Sequence, residues 1–294
     1  MPIHLGDPMI RTATIAALVG LTLSSAACAA PPPAPVAPST PPSAADWRTP
    51  NPDNLMVIDT TKGRIVVELS PEVAPKHVER VKALVRKGFY DGRSFFRVID
   101  QFMAQTGDPK DDGTGGSDQP DLAAEFTFRR GVETPFVQVA DQTVADIGFI
   151  GALPVMTQSS MLMAMTADSK VSGWALYCPG VAGMARGGDP DSANSQFYLM
   201  RQAYPSLEKR YTAFGRMISG IEVVRAIKTG EPVEEPRDKM LKVQMLADMP
   251  AATRPKVKVI DPHSAWFAAE VARVRNQMGA DFTACAIQIP SEVK

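Results

Sequence analysis

Residues 89–109, "FYDGRSFFRVIDQFMAQTGDP", place a charged side chain in apolar company. Arg97 lies among five phenylalanine and tyrosine rings. An arginine is seldom found in such surroundings unless its guanidinium is paired or takes part in function. The run predicts a strand, a loop and a second strand, with the arginine at the lip of an aromatic patch. The chemistry of this segment therefore depends on what Arg97 faces.

The sequence before this segment predicts a hairpin followed by a helix. In residues 56–69, apolar side chains alternate onto one face after a turn at residues 61–63, as is typical of two paired strands. Residues 70–88 predict a helix, with Pro75 in its first turn and Gly88 at its end.

The second half of the chain resumes short strands after a segment without clear periodicity. Residues 129–179 match neither the helical nor the strand pattern well. Residues 181–249 return to short strands, with a second helix in residues 220–232, and the tail predicts a third helix from about Pro262 to Gly279. Several short strands with two well-separated helices favour a mainly β barrel or sandwich with helical plugs.

Composition and motifs exclude several classes of function. A formal net charge of −1 gives no reason to expect nucleic acid as a partner. The three histidines lack metal-ligand spacing, and no Gly-x-Ser-x-Gly turn is present. Residues 111–116, "DDGTGG", lack the lysine and following helix of a phosphate-binding loop and predict a surface loop. We expect no metal, no cofactor and neither hydrolytic nor redox chemistry.

Three long blocks resemble a known family. They are residues 89–109, residues 180–200 ("GVAGMARGGDPDSANSQFYLM") and residues 211–224 ("YTAFGRMISGIEVV"). In this order they are similar to the signature blocks of cyclophilin-type peptidyl-prolyl cis-trans isomerases of the kind that bacteria export. The resemblance covers about 56–249, less 129–179, which is longer than the family's usual connection. It implies an eight-stranded antiparallel barrel capped by two helices, with an insertion and a C-terminal helical extension.

The resemblance also implies the site, residue by residue. Arg97 falls on the family's catalytic arginine, and Gln105 falls on the glutamine that holds the arginine and the substrate backbone. The implied substrate-binding residues surround the bound proline and its peptide: Phe102, Met103, Ala185, Gln196, Tyr198, Leu207 and Tyr211. Tyr198 stands where the family usually has phenylalanine, and Tyr211 where many members have histidine. The implied partners are proline-containing polypeptides, and we expect a monomer.

The chemistry of prolyl isomerisation explains this choice of residues. Rotation about an Xaa-Pro bond breaks amide resonance and has a barrier of roughly 20 kcal/mol. At the twisted midpoint the prolyl nitrogen regains its lone pair and accepts a hydrogen bond, which the planar amide nitrogen does not. A guanidinium aimed at this nitrogen binds the transition state selectively and lowers the barrier. Arginine suits the task because it stays protonated and has a rigid fork, part of which Gln105 can hold.

The N-terminal part of the chain predicts an export signal and a linker. Residues 1–29 carry a basic residue, a short apolar run and small residues, as cleaved signal peptides do. Cys28 leaves two outcomes open, lipidation of that cysteine or plain cleavage nearby. Residues 30–53 are rich in proline and alanine and predict a disordered linker. The isomerase-like domain then spans residues 54–249, and residues 250–294 form a C-terminal extension with one helix.

Export would place the mature protein in the periplasm, either soluble or lipid-anchored. Because this compartment is oxidising, Cys178 and Cys285 are candidates for a disulfide, with two free buried thiols as the open alternative. A membrane would be contacted only through a lipid anchor.

Two classes of function follow from these patterns. The first is an isomerase that accelerates prolyl-limited folding of exported proteins. The alternative is a non-catalytic chaperone or envelope scaffold that binds clients through the same pocket or through the insertion. Residues 161–166, "MLMAMT", favour an adaptable apolar surface for clients or, alternatively, methionines packed onto the barrel.

Overall fold

A computed structural model describes residues 40–294. The predicted signal peptide with Cys28, and residues 30–39 of the predicted linker, lie outside the described residues. Strands in the described part are, in chain order, β1 (Trp47–Arg48), β2 (Leu55–Thr60), β3 (Gly63–Leu69), β4 (Arg97–Ile99), β5 (Met103–Thr106), β6 (Phe128–Arg130), β7 (Phe136–Gln142), β8 (Ala145–Ile150), β9 (Leu153–Gln158), β10 (Val171–Ala175), β11 (Val181–Met184), β12 (Phe197–Met200), β13 (Ala213–Ser219), β14 (Met240–Met245), β15 (Val257–Ile260) and β16 (Ser291–Val293). The α-helices are α1 (Pro75–Arg86), α2 (Ile221–Ala226) and α3 (Ala265–Met278).

An eight-stranded antiparallel sheet forms the main body of the described residues. Its strand order is β14-β2-β3-β13-β11-β12-β5-β4. The free edges of β4 and β14 approach each other through two isolated bridges, Ser94 with Lys239 and Val98 with Gly230. These bridges curl the sheet into a barrel, as the sequence predicts.

The barrel core explains why the two capping helices form. Pro75 occupies the first position of α1, where its missing N–H breaks no helical hydrogen bond. The apolar stripe of α1, with Val81 and Leu84 at 0% and 1% exposure, packs into the barrel end with Val224 of α2. Both predicted helices are present, and both are shorter than predicted: Pro75–Arg86 within residues 70–88, and Ile221–Ala226 within residues 220–232.

The insertion forms a second antiparallel sheet with strand order β6-β10-β9-β8-β7. The sequence leaves this segment unclassified because β8 is buried on both faces and shows no alternation of polar and apolar residues. Residues 161–165 of the "MLMAMT" segment lie in a 3-10 helix, Ser160–Met165, between β9 and β10. Met161 and Met165 are exposed, so the interpretation that these methionines pack onto the barrel is wrong for both.

The C-terminal extension folds back onto the body. Strand β15 pairs with β16 and with β1, and α3 begins after the N-cap Ser264, three residues later than predicted. Strand β1 lies within residues 30–53, where Trp47 pairs with Ile260. The prediction of a disordered linker is therefore wrong for the last part of this range. In residues 40–294, no helix combines the length and the apolar character needed to cross a bilayer.

A disulfide joins the insertion to the extension. Cys178 follows β10 at the end of the insertion, and Cys285 follows α3. Their Cα atoms are 5.0 Å apart, and their positions differ by 107 in sequence. Cys178 is fully buried in an apolar cluster that also holds Phe267 of α3. The covalent bond therefore ties the segment inserted within the isomerase-like domain to the extension that follows this domain.

Candidate active site

A row of directly paired residues crosses five strands of the eight-stranded sheet. From β4 to β13 the row consists of Arg97, Gln105, Tyr198, Gly183 and Ala213. Residues paired in this way point to the same face of a sheet. The alternate residues, such as Val98, Ala104 and Leu199, lie in the barrel core. The row therefore lies on the outer face of the barrel, and it carries the predicted catalytic arginine.

A chain of polar contacts begins at Arg97. Its Nη1 donates to Oε1 of Gln105 at 3.2 Å, and Nε2 of Gln105 donates to Oε1 of Gln196 at 3.0 Å. Nε2 of Gln196 in turn donates to the carbonyl oxygens of Gly113 (3.1 Å) and Gly115 (2.7 Å). The three predicted polar residues thus form one hydrogen-bonded chain, which fixes the donor direction of the guanidinium.

The predicted apolar wall lies beside this chain. Met103, Tyr198 and Leu207 belong to one buried cluster. Three further predicted residues pack against it with partly exposed side chains: Phe102, Ala185 and Tyr211. The structure therefore brings all nine predicted site residues to one face. The same cluster continues into the insertion sheet and α3, so the wall is supported by parts of the chain outside the three sequence blocks.

Tyr198 and Gly183 fit each other across β12 and β11. A Cβ built on Gly183 would lie 2.7 Å from the hydroxyl oxygen of Tyr198, so any larger residue at position 183 would displace the ring. The ring of Tyr211 stands edge-on to that of Tyr198 with centroids 6.2 Å apart. Burial raises the pKa of Tyr198 well above its usual value, so the phenol stays neutral.

A polar cleft of about 380 Å³ opens beside the aromatic wall, and Gln105, Ala185 and Gln196 line it. The glycines of the "DDGTGG" loop also line this cleft, and the loop lies at the surface without regular secondary structure, as the sequence predicts. This loop is anchored by the buried carboxylate of Asp108, which accepts from the backbone N–H groups of Lys110 and Gly113. An extended peptide can therefore lie across both the apolar wall and the cleft.

Three further residues belong to the site that the sequence analysis did not assign to it. Glu231 contacts Arg97 from a loop 134 positions away, and no local pattern marks it. Tyr204 stacks on Phe102 with ring centroids 4.3 Å apart, and its place three residues before Leu207 is the signal that could have found it. Arg186 lies over the ring of Tyr211 at 4.5 Å and is held by the carbonyl oxygen of Arg210.

The arrangement offers a fixed cation beside an apolar wall and a polar cleft. Within residues 40–294, no group of three or more His, Cys, Asp or Glu side chains is placed to hold a metal ion. The donors and the wall are suited to binding a ring-shaped apolar group while a hydrogen bond forms next to it.

Comparison with known proteins agrees with this geometry. The model of the family described as "cyclophilin type peptidyl-prolyl cis-trans isomerase/CLD" matches residues 55–247. A protein of Brucella suis named "probable peptidyl-prolyl cis-trans isomerase" is 35% identical over 213 residues, which cover 67% of this chain and 85% of that protein. The bovine "peptidyl-prolyl cis-trans isomerase-like 1" is 29% identical and is matched over 81% of its length by 62% of this chain.

A solved structure extends the likeness beyond the barrel. The crystal structure of cyclophilin AquaCyp293 from Hirschia baltica superposes with a TM-score of 0.77 at 36% sequence identity, covering 84% of this chain and 93% of that one. This coverage exceeds the part of the chain that the family model matches. The family model, the relatives and the superposition agree, and the chain belongs to the cyclophilin-type peptidyl-prolyl cis-trans isomerase family.

Proposed function

We propose that this protein accelerates cis-trans isomerisation of Xaa-Pro bonds in exported polypeptides. One observation carries the proposal: the Arg97 guanidinium is held by Gln105 at the edge of a wall made of Phe102, Met103 and Leu207. The wall binds the pyrrolidine ring by apolar contact while the preceding carbonyl rotates. Arg97 then donates to the prolyl nitrogen when that nitrogen becomes pyramidal, which stabilises the transition state more than the ground state.

The test is an isomerisation assay on a proline-containing peptide. The wild type should shorten the relaxation of tens of seconds that is typical of uncatalysed prolyl bonds. Arg97→Ala should lower kcat/KM by about 10²–10³-fold, the usual effect of removing one preorganised donor. Arg129→Ala is a matched control, because Arg129 is an exposed arginine paired with Asp168 in the insertion. A wild type without acceleration, or an Arg97→Ala variant with full activity, would refute the proposal.

Two observations support an exported protein. The apolar N-terminal run has the length and flanks of a signal peptide. The Cys178–Cys285 disulfide suits an oxidising compartment such as the periplasm. Mass spectrometry of the mature N-terminus distinguishes the two outcomes of signal cleavage. A diacylglyceryl modification on Cys28 means a lipid anchor, and an unmodified start near residue 30 means a soluble protein. An intact Met1 on protein from the native host would contradict export.

A holding function for unfolded chains is the second candidate, and the exposed methionines of the insertion favour it. Met161 and Met165 are 78% and 83% exposed, and flexible thioether side chains adapt to varied apolar partners. The double variant Met161→Gln/Met165→Gln should then lose the ability to suppress aggregation of a denatured client, while Arg97→Ala should keep it. Equal suppression by both variants and the wild type would exclude this role for the methionines.

A further inference from the structure

Glu231 makes the shortest contacts of the Arg97 side chain. Its Oε1 accepts from Nε of Arg97 at 2.6 Å and lies 2.6 Å from Nη2. Both nitrogens belong to the same side of the guanidinium, so one carboxylate oxygen bridges the lateral fork. Charge-assisted contacts of this kind are shorter and stronger than neutral hydrogen bonds.

The backbone holds Glu231 opposite Arg97. Gly230 and Val98 exchange two hydrogen bonds, each of 2.8 Å, and Val233 N–H donates to the carbonyl oxygen of Phe96 at 2.8 Å. Val233 is only 1% exposed and belongs to the barrel core. A Cβ at position 230 would lie 2.7 Å from the carbonyl oxygen of Pro232, so the turn requires glycine. The segment that carries Glu231 is therefore fixed to the strand that carries Arg97.

The contacts leave the guanidinium partly free. An arginine has five N–H bonds; Glu231 accepts from Nε–H and lies against Nη2 as an ion-pair partner, and Gln105 accepts from one N–H on Nη1. At least one N–H on each terminal nitrogen therefore remains for a further acceptor. The two partners hold different nitrogens, so together they restrict rotation about the last side-chain bonds. A side chain with 36% exposure and only one of these partners would sample several rotamers.

We propose that Glu231 is a positioning residue for the isomerase reaction, holding the Arg97 guanidinium so that its remaining N–H bonds point at the prolyl nitrogen. This inference rests on the proposed function, in which Arg97 is the donor to that nitrogen. Glu231 acts through Arg97 and does not itself touch the reacting bond. Its effect comes from preorganisation, since a donor that is already oriented need not be ordered during the reaction.

The negative charge of Glu231 also has an electrostatic effect on catalysis, and its sign is opposite to that of the positioning effect. A negative charge beside Arg97 reduces the net positive potential at the prolyl nitrogen, so a purely electrostatic account predicts faster turnover when Glu231 is removed. However, Glu231 is 54% exposed, and solvent screens the field of such a group strongly. The geometric restraint acts through direct contacts and is not weakened in the same way. The sign of the change in kcat therefore separates the two accounts.

The experiment compares three variants of the full chain in the peptide assay. Glu231→Ala should lower kcat about tenfold with KM changed less than twofold, because substrate binding relies on the apolar wall. Glu231→Gln keeps an acceptor oxygen without the charge and should recover part of this loss. Glu234→Ala is the matched control, an exposed glutamate in the same loop, and should retain wild-type kcat and KM.

A spectroscopic measurement tests the position of Arg97 itself. In ¹H–¹⁵N spectra of the arginine side chains, the Nε–H signal of Arg97 should shift and exchange faster with water in Glu231→Ala, and remain unchanged in Glu234→Ala. If the wild type is inactive, the proposed function fails. If the wild type is active and depends on Arg97, yet Glu231→Ala has unchanged or increased kcat, only the positioning role is overturned. An unchanged Nε–H signal in Glu231→Ala would also overturn it.

Discussion

The barrel and the insertion each contain an arginine–carboxylate pair, and the two pairs differ in their access to water. Arg97 and Glu231 lie on the outer face of the barrel with side chains 36% and 54% exposed. Arg130 and Asp146 lie within the insertion sheet with side chains 11% and 6% exposed. The same chemical pair is thus open to a ligand in one region and enclosed by protein in the other.

The surroundings of the two pairs show what each arrangement serves. Arg130 donates to Oδ2 of Asp146 and to Oγ1 of Thr157, both at 2.8 Å, and lies over the ring of Phe136 at 3.9 Å. Asp146 also accepts from the backbone N–H of Ser160 at 2.9 Å. A buried pair must satisfy its hydrogen-bonding groups in this way, because burying an uncompensated charge is costly. The exposed pair has no such requirement and can leave N–H bonds for a substrate.

The largest effect on stability is expected from breaking the buried pair. Arg130→Ala leaves the Asp146 carboxylate buried with only one backbone donor, and we expect the free energy of unfolding to fall by about 3–5 kcal/mol. Chemical denaturation followed by circular dichroism measures this change. Arg129→Ala, the neighbouring exposed arginine, should change it by less than about 1 kcal/mol. Equal effects of the two substitutions would contradict the difference between buried and exposed pairs.

Removing the disulfide should have the next largest effect. The bond closes a long loop, and Cys178→Ala/Cys285→Ala should lower the free energy of unfolding by about 2–4 kcal/mol. Because the bond joins the insertion to the extension and not to Arg97, the isomerase activity of the folded variant should stay within a factor of two. Denaturation with and without a reducing agent gives the same comparison for the wild type. An unchanged midpoint after complete reduction would show that the crosslink contributes nothing.

A third carboxylate, Glu125, has an exposure between those of Asp146 and Glu231. It tests whether the contribution of a paired carboxylate to stability follows its burial. It caps α1 by accepting from the backbone N–H groups of Lys76 and His77, and its Oε2 lies 2.7 Å from Nδ1 of His77. Burial alone raises the pKa of Glu125, but the hydrogen bonds from His77 and Lys76 outweigh it and leave the pKa lowered. The carboxylate therefore stabilises the fold fully above its unfolded pKa of about 4.3 and loses this contribution as pH falls through the lower folded value.

Glu125→Gln should accordingly flatten the acid side of the stability profile. We expect a loss of about 1–2 kcal/mol near neutral pH and a shrinking difference from the wild type as pH falls below about 4. Urea denaturation at a series of pH values measures both. Glu79→Gln on the exposed side of α1 is the control. A constant difference between wild type and Glu125→Gln at all pH values would show that the ionised carboxylate is not the stabilising form.

Sequence reasoning was most accurate where local chemistry determines structure. The β2–β3 hairpin and α1 follow from alternation, a proline at the helix start and a glycine after its end. The insertion sheet could not be predicted, because β8 is buried on both faces and shows no alternation of polar and apolar residues. The site residues that the family resemblance implies do lie on one face of the structure. Glu231, in contrast, reaches Arg97 only when the barrel closes. A contact that forms only when the barrel closes cannot be recognised from the spacing of neighbouring residues in the sequence.

The smallest effect on stability is expected from Arg97→Ala, the substitution that should affect activity most. Both partners of Arg97 keep other hydrogen-bonding partners when the guanidinium is removed, because Glu231 faces water and Gln105 still donates to Gln196. The free energy of unfolding should therefore change by less than about 0.5 kcal/mol, as is usual for exposed ion pairs. The same denaturation experiment used for Arg130→Ala provides the measurement. A loss above 2 kcal/mol would mean that Arg97 supports the barrel edge, and lost activity in that variant would then reflect altered structure, not a missing donor.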